Sequence, residues 1–120
     1  MSYFFDTYAI IEIINGNESY LKFKEIKVIT SVLNIGEVYQ IMLRKHSKSA
    51  ADDWFKNFDF ELLEITPDII IESVYFRHLN KKNDVSLPDA VGYTISLKHK
   101  LKFLTGDRQF EHLQNVEFVK

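Results

Sequence analysis

The stretch SLPDAVGYTISLKHKLKFLTGDRQF, residues 86–110, decides the fold that this sequence predicts. Its first four residues are typical of a helix start, because they provide a capping serine, a proline and an acid for the first turn. The helix is predicted to end near His99. Phe103 and Leu104 then form an apolar strand, which Gly106 stops. A helix that leads directly into a buried strand is typical of α/β proteins.

The rest of the chain alternates strands and helices in the same way. Further strands are predicted at Tyr3–Phe5, Val28–Ile29, Phe60–Ile65 and Val116–Val119. Helices are predicted at Thr7–Ile14, at Glu18–Lys24, from Ser31 or Asn34 to about Lys45, from Ser47 or Ser49 to Phe58, from Thr66 to about Leu79, and as a short turn at Gln109–His112. This order predicts an α/β three-layer sandwich, with a central, mostly parallel five-stranded sheet flanked by helices.

Composition limits the kind of protein this chain can be. It has 120 residues and no linker or repeat, so we expect residues 1–120 to form a single domain. It has no cysteine, which excludes thiolate catalysis and cysteine zinc sites and is compatible with the cytoplasm, where we expect the protein to be located. The start MSYFFDTYAIIEII lacks a basic segment, so we expect neither a signal peptide nor a membrane helix. A net charge of -2 gives no global signal for nucleic-acid binding.

Four acidic residues occupy positions where an α/β chain would place a functional site. Asp6 and Asp107 directly follow predicted strands, at the sheet edge where ligands bind in such folds. Glu37 and Asp89 lie in predicted helices without a basic residue at helical contact spacing. Carboxylates near apolar surface without a cation partner are costly, and a bound divalent metal would remove that cost.

Each acid also has an ordinary explanation. Asp6 can be a helix N-cap, although Thr7 can take that role instead. Glu37 can face solvent, and Gly36 beside it would let another backbone approach. Asp89 suits the first turn of a helix, and an acid after Thr-Gly can be a turn or cap residue.

Taken together, these segments resemble the PIN domain family and, in their short form, the VapC-type toxins of toxin–antitoxin pairs. YFFDTYAIIEI is similar to the first strand, acid and helix of the family, and NIGEVYQIM is similar to its Glu-bearing helix. Residues 86–110 are similar to the segment that carries the third acid, the next strand and the Thr-x-Asp ending. The resemblance extends from residue 2 to residue 110, and residues 47–82 match only in helical character.

The resemblance implies a metal-dependent endoribonuclease that hydrolyses RNA phosphodiester bonds as the toxin of such a pair. Its Mg²⁺ or Mn²⁺ ligands would be Asp6, Glu37, Asp89 and Asp107, with Asp6 and Asp89 holding the principal ion. These oxygen ligands suit such ions. Thr105 would be a further catalytic residue, and it and Thr7 would orient a carboxylate, a water or a phosphate. The implied partners are an RNA substrate, a small antitoxin protein and a second copy in a homodimer.

Other functions stay open at this point. A PIN-like fold can serve as a non-catalytic protein-interaction scaffold. A phosphotransfer receiver domain would need an acid after a central strand, and Asp59 and Asp68 are poorly placed for that role. A haloacid-dehalogenase-like phosphatase would need Asp-x-Asp at the first strand, where this chain has Tyr8.

Several further side chains are assigned by pattern alone. Arg108 is predicted either to contact the RNA backbone or to form a salt bridge. The four histidines, His46, His78, His99 and His112, are predicted to lie at the surface. Partner surfaces can be lined by Tyr39, Trp54, Phe55 and Phe58, at least half of which we expect in the core.

Overall fold

The computed structural model describes residues 2–120, which contain five strands and five α-helices. The strands are β1 (Tyr3–Phe5), β2 (Val28–Thr30), β3 (Phe60–Leu62), β4 (Lys102–Thr105) and β5 (Val116–Phe118). The helices are α1 (Thr7–Ile14), α2 (Val32–Lys45), α3 (Lys48–Asn57), α4 (Pro67–Leu79) and α5 (Leu87–Lys98). Short 3₁₀ turns lie at Glu18–Phe23, Lys81–Asn83 and Arg108–Phe110.

The strands form one parallel sheet in the order β3-β2-β1-β4-β5. In β1, Phe4 is paired with Ile29 of β2 on one side and with Phe103 of β4 on the other. The chain therefore builds the sheet outward from β1 in one direction and later adds β4 and β5 in the other. In such a sheet the change of direction leaves a cleft at the carboxyl ends of the two central strands, here β1 and β4. The predicted fold class is confirmed.

Helices cover both faces of the sheet because side chains of successive strand residues point to opposite sides. Phe5 and Leu104 pack in a core with α1, α2 and α3, whereas Phe4 and Phe103 pack in a second core with α4 and α5. The rings of Phe4 and Phe103 stack with their centroids 5.9 Å apart. Three layers result, with the sheet shared by the two cores.

Gly92 brings α5 directly onto this aromatic pair. A Cβ at Gly92 would lie 2.9 Å from Cε1 of Phe4 and 3.1 Å from Cε1 of Phe103. These distances are too short for a side chain, so the glycine sets how closely α5 approaches the sheet. Its helix carries Asp89, and the close packing therefore also fixes one candidate site residue relative to β1.

The structure departs from the predicted boundaries where tertiary pairing decides them. Strand β3 ends at Leu62, not at Ile65, because its neighbour β2 ends at Thr30 and offers no further partner; the last bond runs from the Leu63 amide to the Thr30 carbonyl. Ser31, not Asn34, caps α2. The turn predicted at Gln109–His112 lies at Arg108–Phe110, and the turn at Lys81–Asn83 was not predicted. No helix within residues 2–120 combines the length and apolar character needed to cross a membrane.

Candidate active site

The two acids that follow strands lie side by side at the carboxyl edge of the sheet. Phe5, the last residue of β1, is paired with Leu104 of β4, and the Asp6 amide donates to the Leu104 carbonyl over 3.0 Å. Asp6 therefore lies beside Thr105, and Asp107 follows two residues later. Parallel neighbouring strands end at the same edge, which is why this juxtaposition follows from the strand pattern.

Asp6 is buried, with 2% of its surface exposed, and both of its carboxyl oxygens are hydrogen-bonded. Oδ1 accepts from the Thr7 amide over 2.8 Å, which makes Asp6 the N-cap of α1. Oδ2 accepts from the Thr105 hydroxyl over 2.7 Å. The alternative that Thr7 is the cap is wrong, because Thr7 is already the first residue of the helix. Capping by Asp6 uses one oxygen and leaves the other to Thr105.

The Thr105 hydroxyl connects Asp6 to Asp107. While it donates to Asp6, its oxygen accepts from the Asp107 amide over 3.1 Å. Asp107 Oδ1 in turn accepts from the Gln109 amide over 2.9 Å and caps the following 3₁₀ turn. The cap explanation for Asp107 is therefore correct, and its second carboxylate oxygen has no hydrogen-bond partner among residues 2–120.

Gly106 is required between these two residues. A Cβ at this position would collide with the Tyr8 ring of α1 and with the carbonyl oxygen of Val119, beyond β5. The glycine thus lets α1 and the last strand close over the backbone that carries Thr105 and Asp107. Any side chain would push this backbone away from Asp6.

Glu37 reaches the site from α2 and does not simply face solvent. It is half-buried, and its Oε1 accepts from the Thr7 hydroxyl over 2.7 Å. The Thr7 oxygen accepts from Nδ2 of Asn34, one turn before Glu37, over 3.0 Å. The expected backbone approach at Gly36 is wrong, because a Cβ there would meet no atom within 4 Å and the residue faces open space.

Asp89 enters from α5, on the other side of the sheet from α2. It lies in the first turn of its helix, where its amide donates to the Ser86 hydroxyl, the N-cap, over 3.2 Å. Within residues 2–120 no hydrogen bond joins Asp89 to the other three acids. Its connection to them is electrostatic and is visible in the pKa values.

Burial and mutual repulsion favour the protonated forms of two of the acids. Burial, followed by the negative charge of Asp89, raises the pKa of Asp6 from 3.8 to about 8, although hydrogen bonds from Thr105 and the Thr7 amide oppose the rise. Burial, followed by the charges of Glu37 and Asp107, raises the pKa of Asp89 to about 6. In the metal-free protein the protonated form of Asp6 is therefore favoured at neutral pH.

A family comparison places this geometry in a known group. The family model of the PIN domain matches residues 3–116. The chain belongs to the PIN domain family. No curated protein matches its sequence significantly.

Solved structures share the fold of this PIN domain at low sequence identity. A chain of a toxin–antitoxin complex from Klebsiella pneumoniae is 23% identical with a TM-score of 0.75, over 97% of this chain and 96% of that chain. The sarcin-ricin loop cleaving toxin VapC20 of Mycobacterium tuberculosis is 18% identical with a TM-score of 0.82, over 99% and 100%. VapBC2 of Rickettsia felis, bound to a DNA fragment from its promoter, is 14% identical with a TM-score of 0.77, over 98% and 97%. The fold is thus that of VapC-type toxins.

The donor chemistry of the PIN domain site fits a divalent cation. It offers four carboxyl groups and two threonine hydroxyls, the hard oxygen donors that Mg²⁺ and Mn²⁺ prefer. The two ion pairs within residues 2–120, Lys48–Asp52 and Arg108–Glu111, include none of the four acids. As arranged, no three acidic or histidine side chains of these residues form a group able to hold a metal. Asp89 and Asp107 are only half-buried, so side-chain rotation can change their oxygen positions.

Some of the surrounding side chains lie where the sequence pattern predicts them. Arg108 is exposed, and its guanidinium lies 3.6 Å from Glu111, a loose surface pair. The four histidines are all exposed, as predicted. Among the four aromatic candidates for a partner surface, Trp54 is buried, Tyr39 and Phe58 are half-buried against the core, and Phe55 is half-exposed.

Sequence reasoning missed the residues that support the acids. Asn34 and Ser31 were predicted only as caps of α2, Tyr8 entered only as a departure from Asp-x-Asp, and Val119 only as the end of the last strand. One signal was available, because Asn34 and Glu37 are three residues apart and therefore share a face of the helix. The contacts of Gly106 had no such signal, since Tyr8 and Val119 come from distant parts of the chain.

Proposed function

We propose that this PIN domain is a metal-dependent endoribonuclease and the toxin of a toxin–antitoxin pair, with residues 1–120 acting as one domain. The observation that carries the proposal is the pairing of Asp6 and Asp89. Asp6 is buried, Asp89 raises its pKa, and neither has a basic partner among residues 2–120. Two acids held together at this cost are typical of a functional site. Family membership and the VapC-type fold support the reaction class.

The ion would be held by Asp6, Glu37, Asp89 and Asp107, with Asp6 and Asp89 as the principal ligands. Mg²⁺ or Mn²⁺, when bound, supplies positive charge for the phosphate and lowers the pKa of a bound water. Thr105 orients Oδ2 of Asp6 and the amide of Asp107, and Thr7 orients Oε1 of Glu37.

The reaction is a hydrolysis in which the chain's own groups bind, orient and accept a proton. Water adds to phosphorus and gives up a proton to a carboxylate or to solvent, the bond from phosphorus to the leaving ribose oxygen breaks, and that oxygen takes up a proton from solvent. The half-buried carboxylates of Glu37 and Asp107 lie where they can accept a hydrogen bond from water. None of these residues needs to act as a covalent nucleophile.

Cleavage of structured RNA in the presence and absence of Mg²⁺ or Mn²⁺ tests this function. Asp6→Asn and Asp89→Asn should each lower the cleavage rate at least about 100-fold, because each removes one carboxylate that would hold the ion. The control is Asp53→Asn, an exposed acid of α3 whose carboxylate makes no bond within residues 2–120. No cleavage of any RNA pool, together with no heat of Mn²⁺ binding to the wild-type protein, would favour the scaffold alternative.

The proposal includes two protein partners in the cytoplasm, a small antitoxin and a second copy of the chain. Its structural support is a row of exposed apolar side chains on α4, Ile71, Val74, Tyr75 and Leu79, at helical spacing. Light scattering of the purified chain tests the homodimer, and a monomeric mass at all concentrations would contradict it. Co-purification of a small protein from the native host tests the antitoxin separately.

A further inference from the structure

A chain of hydrogen bonds runs from the start of α2 to the Glu37 carboxylate. The Ser31 hydroxyl donates to Oδ1 of Asn34 over 2.6 Å, and Nδ2 of Asn34 donates to the Thr7 hydroxyl over 3.0 Å. The Thr7 hydroxyl then donates to Oε1 of Glu37 over 2.7 Å. Ser31 and Asn34 are fully buried, whereas Glu37 at the end of the chain is half-buried.

The donors and acceptors of these side chains determine which group donates in each hydrogen bond. The Ser31 oxygen accepts from the Asn34 amide over 3.4 Å, so its own proton is available for Oδ1 of Asn34. The bond from Thr7 to Glu37 fixes the orientation of the Asn34 side chain, because a flipped amide would take the single Thr7 proton for its Oδ1 and leave the Glu37 carboxylate without it. Since the Thr7 oxygen accepts from Asn34, its single proton is directed to Glu37, which as a carboxylate can only accept.

Helix formation alone does not explain Asn34. Ser31 already caps α2, and an alanine would suit the first turn without burying an amide. The bonds of Asn34 leave its own helix, cross to Thr7 of α1 and return to Glu37 of α2. The chain of hydrogen bonds ends at Glu37, the one candidate metal ligand on α2.

We propose that Asn34 and Ser31 are positioning residues, which act through the Thr7 hydroxyl to hold the Glu37 carboxylate toward the site. This inference rests on the proposed nuclease function. Supporting residues behind metal ligands typically change metal affinity or activity by about 10- to 100-fold when they are replaced. Asn34 would contact neither the ion nor the RNA.

A double-mutant cycle tests the assignment. Asn34→Ala, Thr7→Val and the double variant are compared with the wild type for Mn²⁺ affinity by calorimetry and for kcat and KM of RNA cleavage. Each single variant should weaken Mn²⁺ binding and lower kcat by about tenfold with KM little changed. The double variant should lose no more Mn²⁺ affinity or kcat than either single variant, because both substitutions break the same chain of hydrogen bonds. Thr7→Ser keeps the hydroxyl, so its Mn²⁺ affinity, kcat and KM should equal those of the wild type.

A buried serine outside the site provides the matched control. Ser73 of α4 is fully buried, and its hydroxyl donates to the Ile69 carbonyl on the opposite side of the sheet from α2. Ser73→Ala should lower thermal stability without changing kcat or Mn²⁺ affinity. The positioning role is refuted if Asn34→Ala also lowers only thermal stability and leaves kcat and Mn²⁺ affinity unchanged. It is also refuted if the losses of the two single variants add up in the double variant. In either case the nuclease function stands.

Two further measurements separate the remaining outcomes. The Asn34 side-chain amide signals in nitrogen-15 NMR spectra should shift in Thr7→Val, and unchanged signals would refute the chain even if Asn34→Ala does not fold. A wild-type protein that neither cleaves RNA nor binds Mn²⁺ would overturn the proposed function, and the positioning role with it.

Discussion

Asp6→Asn should make the metal-free protein more stable at neutral pH while it abolishes RNA cleavage. Asparagine carries no charge to bury, and its Oδ1 can still accept from the Thr7 amide as Asp6 does. The bond from the Thr105 hydroxyl is disturbed, because an amide nitrogen would replace the accepting Oδ2. A disturbed hydrogen bond costs about 1 kcal/mol, less than the proton uptake that folding requires of Asp6 at neutral pH.

The magnitude follows from the pKa of Asp6, which burial raises from 3.8 to about 8. A raised pKa in the folded state means that stability is greatest below about pH 4 and is lost as the pH rises through the folded value. Between about pH 5 and about pH 7 the unfolded carboxyl is ionised while the folded one keeps its proton. Each pH unit then costs about 1.4 kcal/mol, or about 2.5 kcal/mol over this interval. The raised pKa of Asp89 adds a smaller loss of stability, which ends as the pH passes its folded pKa of about 6.

Urea unfolding in the presence of a chelator measures this dependence. The wild-type free energy of unfolding should fall by about 3 to 4 kcal/mol from about pH 5 to about pH 7, and that of Asp6→Asn should fall by at least about 1 kcal/mol less. Excess Mn²⁺ at neutral pH should stabilise the wild type but not the variant. Asp53→Asn should keep the wild-type slope. A wild type equally stable at both pH values, or equal slopes for wild type and Asp6→Asn, would refute the reasoning.

Three further changes test the frame of the site by urea unfolding and cleavage assays. Gly106→Ala should lower the free energy of unfolding by about 1 to 3 kcal/mol, because the added methyl group collides with packed atoms. Gly36→Ala should raise it by up to about 1 kcal/mol, because a methyl group there contacts no other atom. An equal effect of both variants would contradict the packing argument. Thr105→Val should slow cleavage at least about tenfold and Thr105→Ser should not, since only valine lacks the hydroxyl. Arg108→Ala should change unfolding by less than about 0.5 kcal/mol, because its pair with Glu111 is long and exposed.

Much of this fold follows from local sequence pattern. The strand and helix order, the capping residues at Thr66 and Ser86, and the positions of Asp6 and Asp107 after their strands could all be predicted, whereas the start of α3 was left between Ser47 and Ser49. Each depends on a few neighbouring residues whose spacing indicates period two or period 3.6. Because parallel strands end at a common edge, the same pattern also predicted that these two acids lie at that edge, and the strand order of the sheet then made their strands neighbours.

Other features depend on residues that are distant in sequence. The end of β3 was missed because the length of its neighbour β2 decides it. Gly36 was expected to admit another backbone and instead faces open space, since no local signal says which side of a helix a second segment approaches.

The sequence by itself determined which four acids this PIN domain carries and on which kind of element each one lies. Only the tertiary structure decided what each carboxyl group contacts and that burial raises the pKa of Asp6 and of Asp89. The Thr7–Glu37 bond joins residues 30 positions apart, and the Thr105–Asp6 bond joins residues 99 positions apart. The pKa of Asp6 depends on burial and on Asp89, which is brought to it by the packing of α5 on the sheet. Local propensity fixes elements, whereas desolvation and hydrogen bonding between distant segments fix the chemistry of the site.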